Sequence, residues 1–64
     1  STKEQLHFIE ISYGSLCETM CQLEIAYELH FINEEQLREA EVRTTAIAQM
    51  LSGLKNKRTQ TAHL

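Results

Sequence analysis

The chain has 64 residues, and a single core of that size seldom supplies more than a few kcal/mol unless disulfides, a metal ion or oligomerisation contribute. Hydrophobic residues make up 42%, Pro and Trp are absent and Gly occurs twice, a composition that favours long helices over turn-rich sheets. The formal net charge of −3 weighs against a nucleic-acid-binding role for the chain as a whole. No apolar run approaches the ~18 residues of a membrane span and no export signal is visible, so we expect a cytoplasmic protein without a membrane partner.

The first half of the chain has the pattern of one long helix over about residues 2–30. Its apolar residues recur at alternating spacings of three and four, the seam of a helix that packs lengthwise on another helix. Ser1 or Thr2 can cap the start, and Glu4 lies in the first turn, where a carboxylate suits the helix dipole. The predicted seam residues are Leu6, Ile9, Tyr13, Leu16, Met20, Leu23 and Tyr27.

A second helix is predicted over about residues 34–56, after a short connector. Asn33 and Gln36 have the spacing of a capping box, in which each side chain accepts a hydrogen bond from the other residue's backbone N–H. The predicted seam of this helix is Leu37, Ala40, Thr44, Ile47, Leu51 and Leu54.

So short a connector makes the two helices antiparallel, which predicts an αα-hairpin over residues 1–57. Phe31 and Ile32 are expected to fill the turn. Residues 58–64 show no helical period and little bulk, so we expect a flexible C-terminal tail there.

Charge is absent from a wide arc of the first helix. With Leu6 as position a of a heptad, every c and g position is uncharged, and these rows join the seam to form an arc of about 160°. One partner helix covers less than that, so we expect a third helix to pack on this arc. Ser15, Ala26 and the neighbouring Gly14 would let another backbone approach closely. The c and g residues are Phe8, Ser12, Ser15, Thr19, Gln22, Ala26 and Leu29.

No group of residues has the pattern of a catalytic or metal site. Glu4-x-x-His7 occurs once, whereas a di-iron bundle needs two such motifs and two further inward-facing Glu residues. Cys17 and Cys21 would need a nearby His or a second cysteine pair to hold zinc, and we expect semi-buried, reduced thiols. Glu18 has two open interpretations, an exposed acid or a polar link to a neighbouring helix or subunit. No nucleophile stands beside a base, so we expect no enzymatic activity and no cofactor or metal.

Over about residues 3–57 the chain resembles the second half of the four-helix-bundle protein family first noticed as products of intervening sequences in bacterial large-subunit ribosomal RNA genes. The most specific part is a Gly-Ser-Leu-x-Glu run. The matching residues are Phe8, Gly14, Ser15, Leu16, Glu18, Gln22, Leu23, Ala26, Leu29, Ile32, Met50, Leu51 and Leu54.

The resemblance implies that the hairpin is half of an up-down, antiparallel four-helix bundle, which assembles into ring-like homo-oligomers, commonly pentamers, with no established enzymatic activity. The family's first two helices have no counterpart in this sequence. We therefore expect either that missing half or a second copy of the chain to cover the uncharged arc.

The leading functional prediction is a non-enzymatic oligomerisation or scaffold protein that self-associates through faces built around Phe8, Ser15, Ala26 and Leu29. The alternative is an accessory nucleic-acid-binding protein, associated with ribosomal RNA or a reverse transcriptase. The resemblance suggests that role through a related family, the accessory variability proteins of diversity-generating retroelements. The basic residues it would use are Lys55, Lys57 and Arg58.

Overall fold

The computed structural model describes residues 1–62 and contains two α-helices, α1 (Thr2–Glu28) and α2 (Glu34–Ala62). The start of α1 lies beside the end of α2, because the Nζ atom of Lys55 is 3.7 Å from a carboxylate oxygen of Glu10. The two helices therefore run antiparallel, and the prediction of an all-α helical hairpin is confirmed.

Both helices begin at side-chain caps. The hydroxyl oxygen of Ser1 accepts a hydrogen bond from the Glu4 backbone N–H at 3.3 Å. At the start of α2, Asn33 Oδ1 accepts from the Gln36 N–H at 2.7 Å, and Gln36 Oε1 accepts from the Asn33 N–H at 2.9 Å. The predicted capping box is thus confirmed, and it satisfies two N–H groups that have no partner inside the helix.

The C-terminal end of α1 is a Schellman motif built without glycine. The His30 N–H donates to the Tyr27 carbonyl at 3.0 Å, and the Phe31 N–H donates to the Ala26 carbonyl at 2.9 Å. His30 adopts a left-handed backbone with φ 66°, at the position where helices most often carry Gly. This turn ends α1 at Glu28, slightly before its predicted end.

The second helix continues to Ala62, well past its predicted end. The backbone of residues 58–62 is helical, so the predicted end of the second helix near residue 56 is wrong, while the flexibility expected of these residues stays a prediction. No Pro or Gly follows the predicted end to stop the helix. Arg58 and Thr59 are half-buried, which shows that this last part of α2 still packs on α1. Residues 63–64 of the predicted tail lie outside the described residues.

The two helices bury very little surface between them. Among residues 1–60, only Ile9 is fully buried, with 8% of its surface exposed. Tyr13 and Tyr27 lie at the edges of the seam and are more exposed than the other seam residues of α1. The half-buried seam residues of α1 are Leu6, Leu16, Met20 and Leu23.

The seam of α2 departs from the predicted one in its second half. Ile47 and Leu54 are exposed, and Ala48 is half-buried in place of Ile47. In a straight α-helix, residues seven positions apart differ by about 20° in their direction around the axis. Residues chosen by counting heptads therefore turn gradually away from the line of contact with α1. The other half-buried seam residues are Leu37, Ala40, Thr44 and Leu51.

The connector also differs from its predicted packing. Ile32 is half-buried, but Phe31 is exposed, so the prediction that both residues fill the turn is wrong for Phe31. Phe31 directly follows the left-handed His30, and a turn between only two helices offers no third helix on which its ring could pack.

The hairpin is a rod with principal dimensions of 49 × 16 × 10 Å and a radius of gyration of 14.8 Å. A compact domain of this length would have a radius of gyration of about 11 Å. Within residues 1–62, neither helix has the length and apolar character needed to cross a membrane.

Replacing His30 by Gly is expected to raise the free energy of unfolding by about 1 kcal/mol, because Gly adopts the left-handed backbone without a Cβ clash. Urea denaturation at fixed protein concentration measures the change. The matched control is Glu28→Gly, which lies in the helix and is expected to lower stability by about 1 kcal/mol or less. A His30→Gly variant less stable than the wild type would show that the imidazole makes a contact worth more than the backbone strain.

Candidate interaction surface

The largest exposed apolar side chains on α1 lie away from α2. On α2 the most exposed ones are Val42 and Met50, one in each half of the helix. A monomeric protein rarely leaves clusters of large apolar groups in water, so exposed clusters of this kind favour an interaction surface. The four are Phe8 (64% exposed), Ile11 (50%) and Ile25 (55%) on α1, and Leu29 (60%) at its C-cap.

These four residues belong to one continuous row, which we name the outer stripe. Successive members are three or four residues apart, so they follow one line along the helix, about 160° around α1 from the seam. The row is about 32 Å long and has large apolar groups at both ends, small or polar groups between them, and Glu18 as its one charge. The outer stripe consists of Phe8, Ile11, Ser15, Glu18, Gln22, Ile25 and Leu29.

Two hydroxyl groups beside the outer stripe have partners inside the helix. Ser12 Oγ donates to the Phe8 carbonyl at 2.9 Å, and Thr19 Oγ1 donates to the Ser15 carbonyl at 2.9 Å. Covering Ser12 and Thr19 with a neighbour would therefore leave neither of these two hydroxyl protons without an acceptor.

Gly14 makes no close contact inside the hairpin. A Cβ built on it would meet no atom within 4 Å, and the same holds for Gly53. The close backbone approach predicted at Gly14 is therefore not made by α2, and the small surface there is free for a neighbour from outside the hairpin.

A comparison with protein-family models identifies the group to which the chain is related. The model described as 23S rRNA-intervening sequence protein matches residues 1–53. The chain belongs to the 23S rRNA-intervening sequence protein family. The match includes all of α1 and the connector, so the whole outer stripe lies inside the part of the chain that defines the family. No curated protein and no solved structure shows significant similarity to the chain.

The two cysteines of this 23S rRNA-intervening sequence protein are both free and exposed. The prediction of semi-buried thiols is therefore wrong, because Cys17 and Cys21 lie outside the contact between the helices. Within residues 1–62, no three His, Cys, Asp or Glu side chains are grouped closely enough to hold a metal ion. Glu18 is exposed and lies in the outer stripe.

The three basic residues near the end of α2 do not share one face. Lys55 points to Glu10 of α1 at 3.7 Å, and Arg58 is half-buried where α2 packs on α1. Lys57 is about 200° around the helix from Lys55, so it lies on a different side. The structure therefore does not gather these residues into the single basic patch that binding to a phosphate backbone would need.

A shallow groove runs beside the ion pair between Lys55 and Glu10. Both charged groups are at least half exposed, so this pair contributes at most about 1 kcal/mol. The groove offers apolar surface and the hydroxyl groups of Tyr13 and Ser52. Its other lining residues are Ile9, Tyr13, Leu51 and Ser52.

The sequence interpretation missed Ile11 and Ile25 as members of an exposed apolar surface. Both lie on the heptad row that also carries Glu4 and Glu18. Because that row contains charged residues, a search for uncharged rows does not select it. Their positions between Phe8 and Leu29 are the signal that would have found them, because together they form a second period of three and four on the far side of the helix.

Proposed function

We propose that this chain is a non-enzymatic helical oligomerisation module, whose activity is to assemble with further helices into a scaffold. Membership of the 23S rRNA-intervening sequence protein family supports this proposal, together with the exposed apolar row on α1. The two free cysteines further support a reducing, cytoplasmic compartment.

The observation that carries the proposal is the amount of surface the chain exposes. Its accessible surface is 5259 Å² for a mass of 7.4 kDa. A compact monomer of that mass exposes about 4,200 Å². The difference, about 1,000 Å², is close to the roughly 800 Å² that each partner buries in a standard protein–protein interface. A single contact of ordinary size would thus bring the chain to the exposure of a compact protein.

Homo-oligomerisation is the form of assembly we propose. The ring-like, commonly pentameric arrangement implied by the resemblance is one form of it, and a symmetric pair is another. Both would cover the outer stripe or its neighbouring rows with helices of other copies.

Thermal stability is expected to depend on protein concentration if association completes the fold. A hundredfold rise in concentration shifts a folding equilibrium coupled to pairing by about 2.7 kcal/mol. For a pair of chains of this length, that corresponds to a rise in Tm of about 10 °C. Circular dichroism at several concentrations measures the shift. A fully helical protein whose Tm and sedimentation coefficient do not change with concentration, and whose mass is that of one chain, would contradict the proposal.

Nucleic-acid binding, the alternative role, would rest on the basic residues near the end of α2, which do not share one face. Neutralising phosphates makes affinity fall steeply with salt, so binding to a ribosomal RNA fragment at about 50 and 200 mM salt tests it. We expect no salt-dependent binding. A steep decrease in affinity that is abolished by replacing Lys55, Lys57 and Arg58 with Ala would instead support the nucleic-acid role.

A further inference from the structure

The two cysteines of α1 lie one turn apart on the same side of the helix. Cys17 and Cys21 have the i, i+4 spacing, which makes their side chains neighbours on the helix surface, and both thiols are free and exposed. Each is at least about two turns from the nearer end of α1, so backbone hydrogen bonds on both sides fix their spacing. The helix thus holds two thiol ligands in a defined relative position.

This spacing suits an ion that bridges the two sulfurs better than it suits a disulfide. The Cβ atoms of residues i and i+4 in a helix are about 5–6 Å apart, whereas a disulfide requires roughly 3.5–4.5 Å. A thiolate sulfur lies about 2.3 Å from a zinc ion, and bonds of similar length place two sulfurs on opposite sides of one ion about 4.6 Å apart. Because each sulfur is displaced from its Cβ, rotation of the side chains brings the sulfurs to that separation while the helix stays unchanged.

The surroundings of the two thiols leave room for an ion. Side chains of a helix lean towards its N-terminus, so Cys21 reaches over Cys17, and Cys17 reaches over Gly14. Gly14 has no side chain to cover the Cys17 thiol, and a Cβ built on it would meet no atom within 4 Å. Glu24 follows on the same side about one turn after Cys21, and its carboxylate attracts cations. The thiol pair is therefore open to a cation from solvent.

The number of ligands selects the kind of ion. Within residues 1–62, no third His, Cys, Asp or Glu side chain joins the two thiols in a group that could hold a metal. Zinc sites in proteins have at least three protein ligands, so two thiols alone do not make one. Soft thiolate ligands favour Cu(I), and this monovalent ion forms stable complexes with only two thiolates. The ligand set therefore fits Cu(I) and does not fit zinc.

We infer that Cys17 and Cys21 form a two-coordinate site for Cu(I) on the surface of α1. Each thiol releases its proton to solvent as its sulfur bonds the ion, so two Cu–S bonds replace two S–H bonds and the copper stays monovalent throughout. The site is complete within one chain. It goes beyond the proposed oligomerisation and does not depend on it.

Titration of the reduced protein with Cu(I), without oxygen and in competition with a chromogenic Cu(I) chelator, measures the stoichiometry and the affinity. One ion per chain is expected. Cys17→Ser and Cys21→Ser are each expected to weaken binding by about a hundredfold or more, because the helix presents the second thiol at a high effective concentration once the first has bound. Circular dichroism verifies that each variant is helical.

The matched control keeps two thiols but changes their spacing. In the double variant Cys21→Ser with Gln22→Cys, the second thiol lies about 140° around the helix from Cys17, and the affinity is expected to fall as far as in the single variants. Equal affinity of the wild type and either single variant would overturn the site, and so would undiminished binding by the relocated pair. One ion per two chains would show that copper bridges two copies, which also overturns a site within one chain. Displacement of the copper by an equal concentration of Zn(II) would overturn the assignment of the ion.

Alkylation supplies an independent measurement of the shared ion. Both thiols are exposed, so N-ethylmaleimide is expected to modify both of them in the copper-free protein. One equivalent of Cu(I) is expected to protect Cys17 and Cys21 together, so that mass spectrometry of partly loaded protein shows unmodified and doubly modified chains with few singly modified ones. Protection of only one of the two thiols, seen as mainly singly modified chains, would overturn the inference that they bind the same ion.

Discussion

Two helices packed side by side can each cover only one stripe of the other, and that geometric limit governs what this chain can do. Each residue that is ordered costs about 1–2 kcal/mol of backbone entropy. Within residues 1–60, the burial that offsets this cost comes from one fully buried side chain, Ile9, and two rows of half-buried side chains. Further burial would have to come from outside the hairpin, and this is the physical basis of the proposed oligomerisation.

Local hydrogen bonds fix the backbone of the connector between α1 and α2. The Schellman motif ends α1 at Glu28 and the capping box starts α2 after Asn33, so the connector has one backbone path. This path brings acidic residues of both helices to the same end of the rod. Exposed ion pairs, Arg38 with Glu34 at 2.6 Å and Arg43 with Glu39 at 2.8 Å, offset only part of that negative charge. The rod is consequently acidic at the connector and basic at the other end.

The sequence allowed the helices, the capping box and the antiparallel hairpin to be predicted, because each depends on interactions within about four residues or on the length of the connector. The features that could not be predicted depend on how residues several helical turns apart are positioned relative to the other helix. The exchange of Ile47 for Ala48 in the seam follows from helical drift over several turns. The second helix continues to Ala62, and Arg58 and Thr59 near its end are half-buried. Because both side chains are polar, nothing in the sequence indicated that they would be partly buried.

The exposed apolar residues of α1 could not be assigned from the sequence for a different reason. Ile11 and Ile25 share a heptad row with acidic residues, and only the position of α2 in the structure shows that this row and the row of Phe8 face outward together. A sequence pattern reveals which residues share a side of a helix. It does not assign each side to a partner, because that choice depends on where the other helix lies.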